Sequence, residues 1–304
     1  MALSSERIAA ASFIGTSVLA GGNAVGIRFS NRELAPLWGA GVRFSLAALL
    51  LLAAMAILRL EWPRGRALAG SVVFGLLNFG AAFGLGYYAL VRIHAGFGQT
   101  LLALVPLATL ALAVAFGQER YRIGAVGGTV LALVGVGVMS STSFEGSVPV
   151  LSVVATLGSV LCLALAAVLV RRFPRVHPVT MNAVGMTAGG LALLLASVVA
   201  REPLVLPQRA ATWLALAYLV VIGSGAVFVL YLVVLRHWAA SRAAYTFVLI
   251  PIVTVALSVW LDDEPISPGL VIGGVLVLAG VYVGALRQQD PASTLEVAAS
   301  RDGR

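Results

Sequence analysis

The chain has 304 residues, of which 60% are hydrophobic and 11% are charged, and its mean hydropathy is +1.01. A typical soluble domain carries about 25% charged residues, so the composition excludes an ordinary soluble protein and predicts an integral membrane protein. The formal charge of +8 comes entirely from arginines, because the sequence contains no lysine. These arginines lie between apolar runs, which favours topology signals and argues against a nucleic-acid partner.

Ten apolar segments can each cross a bilayer, whose core of about 30 Å needs roughly 20 helical residues. Lipid excludes open strands, because unpaired backbone groups find no water there. The sequence therefore predicts an all-α polytopic membrane protein with ten transmembrane helices, the first of them a retained helix and not a signal peptide. The predicted spans are 8–27, 36–58, 68–90, 93–116, 122–140, 149–170, 179–200, 210–233, 241–261 and 267–286.

The arginines of the predicted loops are distributed unequally. Fourteen lie on the side of the N-terminus and five on the opposite side. Since cytoplasmic loops retain positive charge, we expect both termini in the cytoplasm and the chain in the cell's inner membrane.

Two long segments of the sequence resemble each other at an offset of 145 residues. The offset pairs Pro106 with Pro251 and Glu119 with Glu264, and it pairs "GAAFGL" with "GAVFVL". It relates the third to fifth helices to the eighth to tenth.

The two halves are predicted to have opposite orientations, because each holds an odd number of helices. Inverted repeats are typical of secondary transporters, although some channels contain them too. We expect a first repeat over 8–140, a second, inverted repeat over 149–286 and a disordered cytoplasmic tail over 287–304.

Several motifs together resemble a known family. They are "AGGNAVGIR" in the first helix, "PLWGAGVRF" opening the second, "YYAL" ending the third, and the two proline-to-glutamate helices, each followed by a glycine-rich helix. This pattern resembles the EamA domains of the drug/metabolite transporter superfamily, whose ten-helix members include amino-acid and metabolite exporters. The resemblance implies export of small metabolites, with amino acids, including aromatic ones, as expected substrates and drugs or nucleosides as the alternative.

Arg43 is the clear case of an ionisable residue within a predicted span. Such a residue is a functional candidate by default, because its cost at a helix centre is roughly 2.5–3.5 kcal/mol. Three interpretations remain open: snorkelling to the outer interface, pairing with carbonyls freed by a broken helix, and binding a substrate carboxylate. Asp and Glu are absent from the middle of every span, so we expect facilitated transport, or coupling through boundary groups such as Glu119 or His94.

Neutral polar and aromatic side chains of the spans are the other candidates for substrate binding. Each alone is also explained by interhelical hydrogen bonding. Together they predict a polar and aromatic pocket between the repeats, formed with Arg43 by Asn23, Asn78, Tyr87, Tyr88, Gln99, Ser224, Tyr231 and Tyr245.

The sequence lacks the signals of an enzyme or a metalloprotein. Its three histidines lie far apart at span ends, and Cys162 is the single cysteine, so we expect no metal and no cofactor. An intramembrane transferase is the alternative from a different class. The expected partners are a small-molecule substrate and the bilayer; the sequence does not predict an oligomeric state.

The paired prolines and glutamates are interpreted as one structural element that occurs once in each half. Pro106 and Pro251 lie within predicted helices, where a missing hydrogen bond produces either a gating hinge or a static kink. Glu119 and Glu264 are predicted to close these helices on opposite faces of the membrane.

Overall fold

The computed structural model describes residues 5–119, 127–128, 130–132, 134–135, 138, 149–238, 243, 246–263 and 266–283. Within these residues every regular element is a helix. The predicted site residues Tyr245 and Glu264 lie outside the described residues, as do most of the predicted fifth helix and the predicted disordered tail.

Nine of the ten predicted helices are described over most of their length. Those of the first half are Ser5–Ala20 with Asn23–Asn31, Pro36–Ile57, Gly65–Leu90, and Ala95–Leu102 with Val105–Ala115. Those of the second half are Val150–Leu169, Pro178–Val199, Ala210–His237, Thr246–Leu261 and Pro268–Val281, which are the sixth to tenth helices. Among the described residues, seven helices are long and apolar enough to cross a membrane, and shorter apolar helices follow at Leu249–Leu261 and Pro268–Gly280. The predicted all-α, ten-helix fold is confirmed.

The first helix differs from its predicted span of 8–27. It breaks at Gly21 and Gly22 and then continues to Asn31. The break frees backbone carbonyls that lipid cannot satisfy, and side chains of the second half bind two of them. The Tyr218 hydroxyl donates to the Leu19 carbonyl over 2.6 Å, and the Thr254 hydroxyl donates to the Gly21 carbonyl over 2.7 Å.

The third and eighth helices each contain a wider, π-helical segment near their middle. These segments, Leu76–Ala82 and Val221–Ala226, start 145 residues apart, which is the offset of the sequence repeat. The same offset pairs Phe83 with Phe228, and their ring centroids lie 5.6 Å apart in an edge-to-face arrangement. Because these two rings are equivalent in the repeat and contact each other, the axis that relates the two halves passes between them.

The two prolines of the repeat lie in different local structures. The fourth helix ends at Leu102 and a new segment starts at Val105, so Pro106 occupies the start of a helix and not its interior. Pro106 thus stays within the apolar span Ala95–Ala115, as predicted, but the span is interrupted just before it. A proline suits the first turn because its missing N–H would have no helical partner there. The ninth helix continues through Pro251 as predicted, and the hinge role of both prolines stays a prediction.

The third and seventh helices pack with their backbones in contact. A Cβ placed on Gly75 would lie 2.1 Å from the Gly185 carbonyl oxygen, and one on Gly189 would lie 2.6 Å from the Cβ of Phe79. Small residues at such contacts let helices approach closely in lipid. Glycine is therefore required at these positions by space.

We expect Gly75→Ala to lower the free energy of unfolding by about 1–3 kcal/mol, because the added methyl group forces the two helices apart. Thermal unfolding in detergent micelles measures the change. Gly274→Ala, in the tenth helix, is the matched control, because a Cβ there meets no atom of the described residues within 4 Å. It should be neutral or stabilising, since alanine favours a helix over glycine by about 1 kcal/mol. Equal melting temperatures for the two variants would contradict the packing argument.

Candidate functional site

A cavity of about 80 Å³ lies between the two halves, where the first, third, fourth, sixth, eighth and ninth helices meet. Four predicted site residues line it: Asn23, Asn78, Gln99 and Tyr231. Its walls are otherwise largely apolar and include the symmetry-related Phe83 and Phe228. A mainly apolar pocket with a few convergent polar groups is typical of small-molecule sites.

Asn78 is the polar group of this cavity that most needs a partner. Its side chain is carried by the π-helical segment of the third helix and is 2% exposed. Among the described residues its amide nitrogen has no hydrogen-bond partner. A buried donor left unsatisfied costs about 1–3 kcal/mol, so a ligand that accepts this hydrogen bond would gain that energy.

Arg43 is fully buried behind this cavity, and neutral groups from both halves of the chain hold its guanidinium. Nε donates to the Ser224 hydroxyl over 2.9 Å and Nη2 to the Gly223 carbonyl over 3.1 Å. Longer contacts of 3.3 Å and 3.4 Å join Nη2 to Asn23 Oδ1 and Nη1 to the Tyr87 hydroxyl. None of its described partners is a carboxylate.

The surroundings of Arg43 bear on the three interpretations of this residue. Its full burial excludes snorkelling, and its bond to Gly223 fits pairing with a carbonyl of an irregular helix. The guanidinium also stacks over the rings of Phe44 and Phe83, 4.9 Å and 5.1 Å from their centroids. It reaches the cavity wall through Asn23, whose amide nitrogen in turn donates to the Gly223 carbonyl over 3.4 Å.

The remaining predicted site residues are divided between this network and the core. Arg43, Tyr87 and Ser224 form the network beside the cavity and do not line it. Tyr88 is half-buried against the hydrophobic core.

Sequence reasoning missed three residues that shape the site. Tyr218 and Thr254 bind the carbonyls freed by the break in the first helix. At Gly223 an added Cβ would lie 2.0 Å from Asn23 Oδ1, so only glycine admits the network. The adjacent Gly21 and Gly22 were the available signal, because a glycine pair within a helical pattern marks a break.

Ion pairs join helices that also line the cavity. Asp262, at the end of the ninth helix, accepts a hydrogen bond from Arg28 Nε over 2.5 Å and a second one from Arg32. Arg28 also donates to the Ile93 carbonyl over 2.7 Å, just before the fourth helix. The Asp262 side chain is 2% exposed, so these contacts are more than a solvated surface pair. They tie the first, fourth and ninth helices together.

The groups considered for energy coupling lie away from the cavity. His94 immediately precedes the fourth helix, and Glu119 follows that helix beyond Gly117, where the backbone turns with a positive φ of 69°. Neither lines the cavity. In the described part of the chain, no group of three or more His, Cys, Asp or Glu side chains could hold a metal ion.

Known proteins share this sequence pattern. The sequence model of the EamA-like transporter family matches residues 7–141 and 150–285, one match in each half. An Escherichia coli protein, "Uncharacterized inner membrane transporter YedA", is 29% identical over 259 residues, which are 84% of either chain. An "Uncharacterized transporter" of Archaeoglobus fulgidus is 27% identical over 84% of this chain and 91% of its own. A solved crystal structure with 20% identity covers 93% of this chain and 99% of its own with a TM-score of 0.68, which shows the fold alone.

The chain therefore belongs to the EamA-like transporter family of the drug/metabolite transporter superfamily. It is a multi-pass membrane transporter of this family.

We expect Arg43→Lys to lower the free energy of unfolding by about 2 kcal/mol. A lysine keeps the charge, but its ammonium cannot satisfy Ser224 and Gly223 in the geometry of a guanidinium fork. Thermal unfolding in micelles measures the loss. The matched control is Arg59→Lys, an exposed arginine after the second helix, which should leave the melting temperature unchanged. Equal stability of both variants would show that the network adds nothing to the fold.

Proposed function

We propose that this EamA-like transporter exports small polar metabolites, amino acids foremost among them, through the cavity between its halves. The observation that carries the proposal is the buried amide nitrogen of Asn78 in the cavity wall, which has no hydrogen-bond partner in the described part of the chain. An oxygen of a polar solute would accept its hydrogen bond. Export and the amino-acid class rest on the family resemblance.

The proposed binding site gives each wall a different role. Asn23, Asn78 and Gln99 supply hydrogen bonds, while Tyr231 with Phe83 and Phe228 provides an aromatic wall for an apolar side chain. Tyr88, and Tyr245 beyond the described residues, remain further aromatic candidates.

Arg43 is the proposed receiver of a carboxylate. Its contacts to Asn23 and Tyr87, at 3.3 Å and 3.4 Å, are longer than those to Ser224 and Gly223. A charge-assisted bond to a carboxylate is roughly twice as strong as a bond to a neutral acceptor. A substrate carboxylate would therefore replace the long contacts, while Ser224 and Gly223 keep the guanidinium in place.

Transport through this cavity requires the halves to move. A volume of about 80 Å³ holds only a few water molecules, so the cavity has to widen to admit an amino acid. We propose alternating access by rocking of the inverted halves, with the Asp262 ion pairs as one closure and Pro106 and Pro251 as bending points. Transport would be facilitated, or coupled through Glu119 or His94.

The alternatives differ in what the cavity would contain. A drug or nucleoside exporter of the same superfamily would use the same path for other solutes. An intramembrane transferase would change its solute chemically. The family and its relatives indicate a transporter, and saturable flux of an unmodified solute would separate transport from catalysis.

The decisive experiment measures flux of amino acids, nucleosides and cationic dyes through protein reconstituted in liposomes. We expect saturable flux of amino acids and a loss of roughly tenfold or more in Asn78→Leu, because about 1.4 kcal/mol of binding is a factor of ten. Asn78→Leu should change stability little, because it removes a buried amide nitrogen that lacks a partner among the described residues.

Asn182→Leu is the matched control for Asn78→Leu. Asn182 is a second fully buried asparagine whose amide atoms lack described partners, but it does not line the cavity. Its substitution should leave flux unchanged. Equal losses in both variants, or amino-acid flux that Asn78→Leu does not reduce, would overturn the proposed site.

We expect Asp262→Asn to open the cavity toward the face on which Asp262 lies. The reporter is Ile27→Cys at the cavity wall in a Cys162→Ala background, labelled by a membrane-impermeant thiol reagent. Weakening the ion pairs should raise the labelling rate roughly three- to tenfold by shifting the population. Asp263→Asn is the control, because this neighbouring carboxylate is exposed and should not affect labelling. A labelling rate that Asp262→Asn leaves unchanged would exclude a closure there.

A further inference from the structure

A second cavity, larger than the one between the halves, lies outside the proposed transport path. Its volume is about 670 Å³, and it lies between the segment joining the second and third helices and the segment joining the sixth and seventh. The arginine distribution predicts this end of the bundle to be cytoplasmic. Arg64 and Arg175 line the cavity from its two sides, together with Trp62, His177 and Thr180.

Positive charge is concentrated around this cavity. Arg236 lies close enough to interact electrostatically with Arg175 and with His177, and it donates to the Val176 carbonyl over 2.8 Å. Glu61 is the only acidic side chain among the described lining residues, and no described ion pair joins it to these arginines. Like charges held together without an acidic partner favour a bound anion.

Two helix N-termini add to this potential. Arg64 precedes the helical segment Gly65–Gly75, and His177 precedes the helix Pro178–Val199. Helix N-termini carry partial positive charge and free N–H groups, which suit a phosphate.

His177 and Thr180, at the N-terminus of the seventh helix, have further groups that can form hydrogen bonds with a phosphate. His177 Nδ1 accepts a hydrogen bond from the Val179 N–H, so Nε2 is the donor of the neutral ring. Desolvation and the nearby Arg236 hold the pKa of His177 below its usual range, which keeps the ring neutral at pH 7. Thr180 is 1% exposed, and among the described residues its hydroxyl has no hydrogen-bond partner.

The residues at the rim of the cavity favour a lipid headgroup as the source of the anion. Trp62 is 51% exposed, and Ile57 and Leu58, at the end of the second helix, are also exposed. Tryptophan and apolar helix ends at this level contact the interface between headgroups and acyl chains. A lipid can therefore place its headgroup in the cavity and its chains along the second helix.

We propose that this cavity is a binding site for the phosphate headgroup of an anionic phospholipid, held by Arg64 and Arg175 between the two helix N-termini. Basic pockets between transmembrane helices on the cytoplasmic side recognise lipid headgroups in this way. The lipid would clamp the second and third helices to the sixth and seventh, and so join the first half of the transporter to the second.

The test compares the melting temperature of the full chain in neutral detergent micelles with added phosphatidylglycerol, phosphatidylcholine or inorganic phosphate. Phosphatidylglycerol alone should raise the melting temperature, by roughly 3–6 °C at saturation. Arg64→Gln/Arg175→Gln should lose at least half of this increment. Arg59→Gln/Arg66→Gln removes the same charge from exposed residues that do not line the cavity, and it should keep the increment.

Each other outcome overturns the proposal. An equal increment with phosphatidylcholine excludes selection of an anionic lipid, and an equal increment with inorganic phosphate identifies a soluble anion. Equal losses in both arginine pairs identify diffuse surface charge. Thr180→Val is the second variant if the Arg64 and Arg175 pair fails to fold; an unreduced phosphatidylglycerol increment in it then counts against the site. Native mass spectrometry should show one retained phosphatidylglycerol in the parent chain and fewer in these variants.

Discussion

The fold depends on one constraint, which is that a bilayer offers no hydrogen-bond partners to the backbone. A helix can be broken in the membrane only where other groups of the protein bind the freed carbonyls. The carbonyls of Leu19 and Gly21 are bound by Tyr218 and Thr254, and that of Gly223 by Arg43 and Asn23. These contacts lie next to Ala20 and Asn23, which line the central cavity. The proposed transport path therefore coincides with a region where the helices are irregular.

The two halves satisfy this constraint differently at equivalent positions. The second and seventh helices begin with Pro36 and Pro178, and Arg43 and Gly185 each follow that proline by seven residues. Gly185 allows direct backbone contact with Gly75 of the third helix. Arg43 instead extends its side chain to the π-helical segment of the eighth helix. The two halves therefore differ at this position. The first half supplies a cationic side chain, whereas the second half supplies a glycine that lets two helices pack closely.

Much of the fold could be predicted from the sequence, because apolar length and repeated spacing report directly on membrane helices. The offset of 145 residues relates the two π-helical segments and pairs Phe83 with Phe228, although neither the wider helical turns nor the ring contact could be predicted from it. The break ahead of Pro106 and the continuous helix around Pro251 could not be told apart, because both prolines stand in similar apolar sequences.

The candidate site was less predictable than the fold. Side-chain chemistry identified Asn23, Asn78, Gln99 and Tyr231, which line the cavity. Which polar residues face the cavity and which face Arg43 depends on helix rotation. Long-range contacts set that rotation, and a pattern of almost uniformly apolar residues does not encode it. Tyr218 and Thr254 were missed for the same reason, since their partners are carbonyls more than 190 residues away along the chain.

The electrostatics of the site support the proposed substrate class by an argument that does not depend on the family. Arg43 carries its charge into a buried region and is compensated by hydroxyl, amide, carbonyl and ring dipoles, with no carboxylate among its described partners. Dipoles of this kind stabilise a charge but do not cancel its field, and the low dielectric of the interior extends that field into the cavity only one side chain away. A cationic solute entering the cavity would be repelled, whereas a solute with a carboxylate would neutralise the charge as it binds. The same solute would supply an acceptor for Asn78, so the carboxylate end of the proposed zwitterionic substrate would serve both Asn78 in the cavity wall and Arg43 behind it.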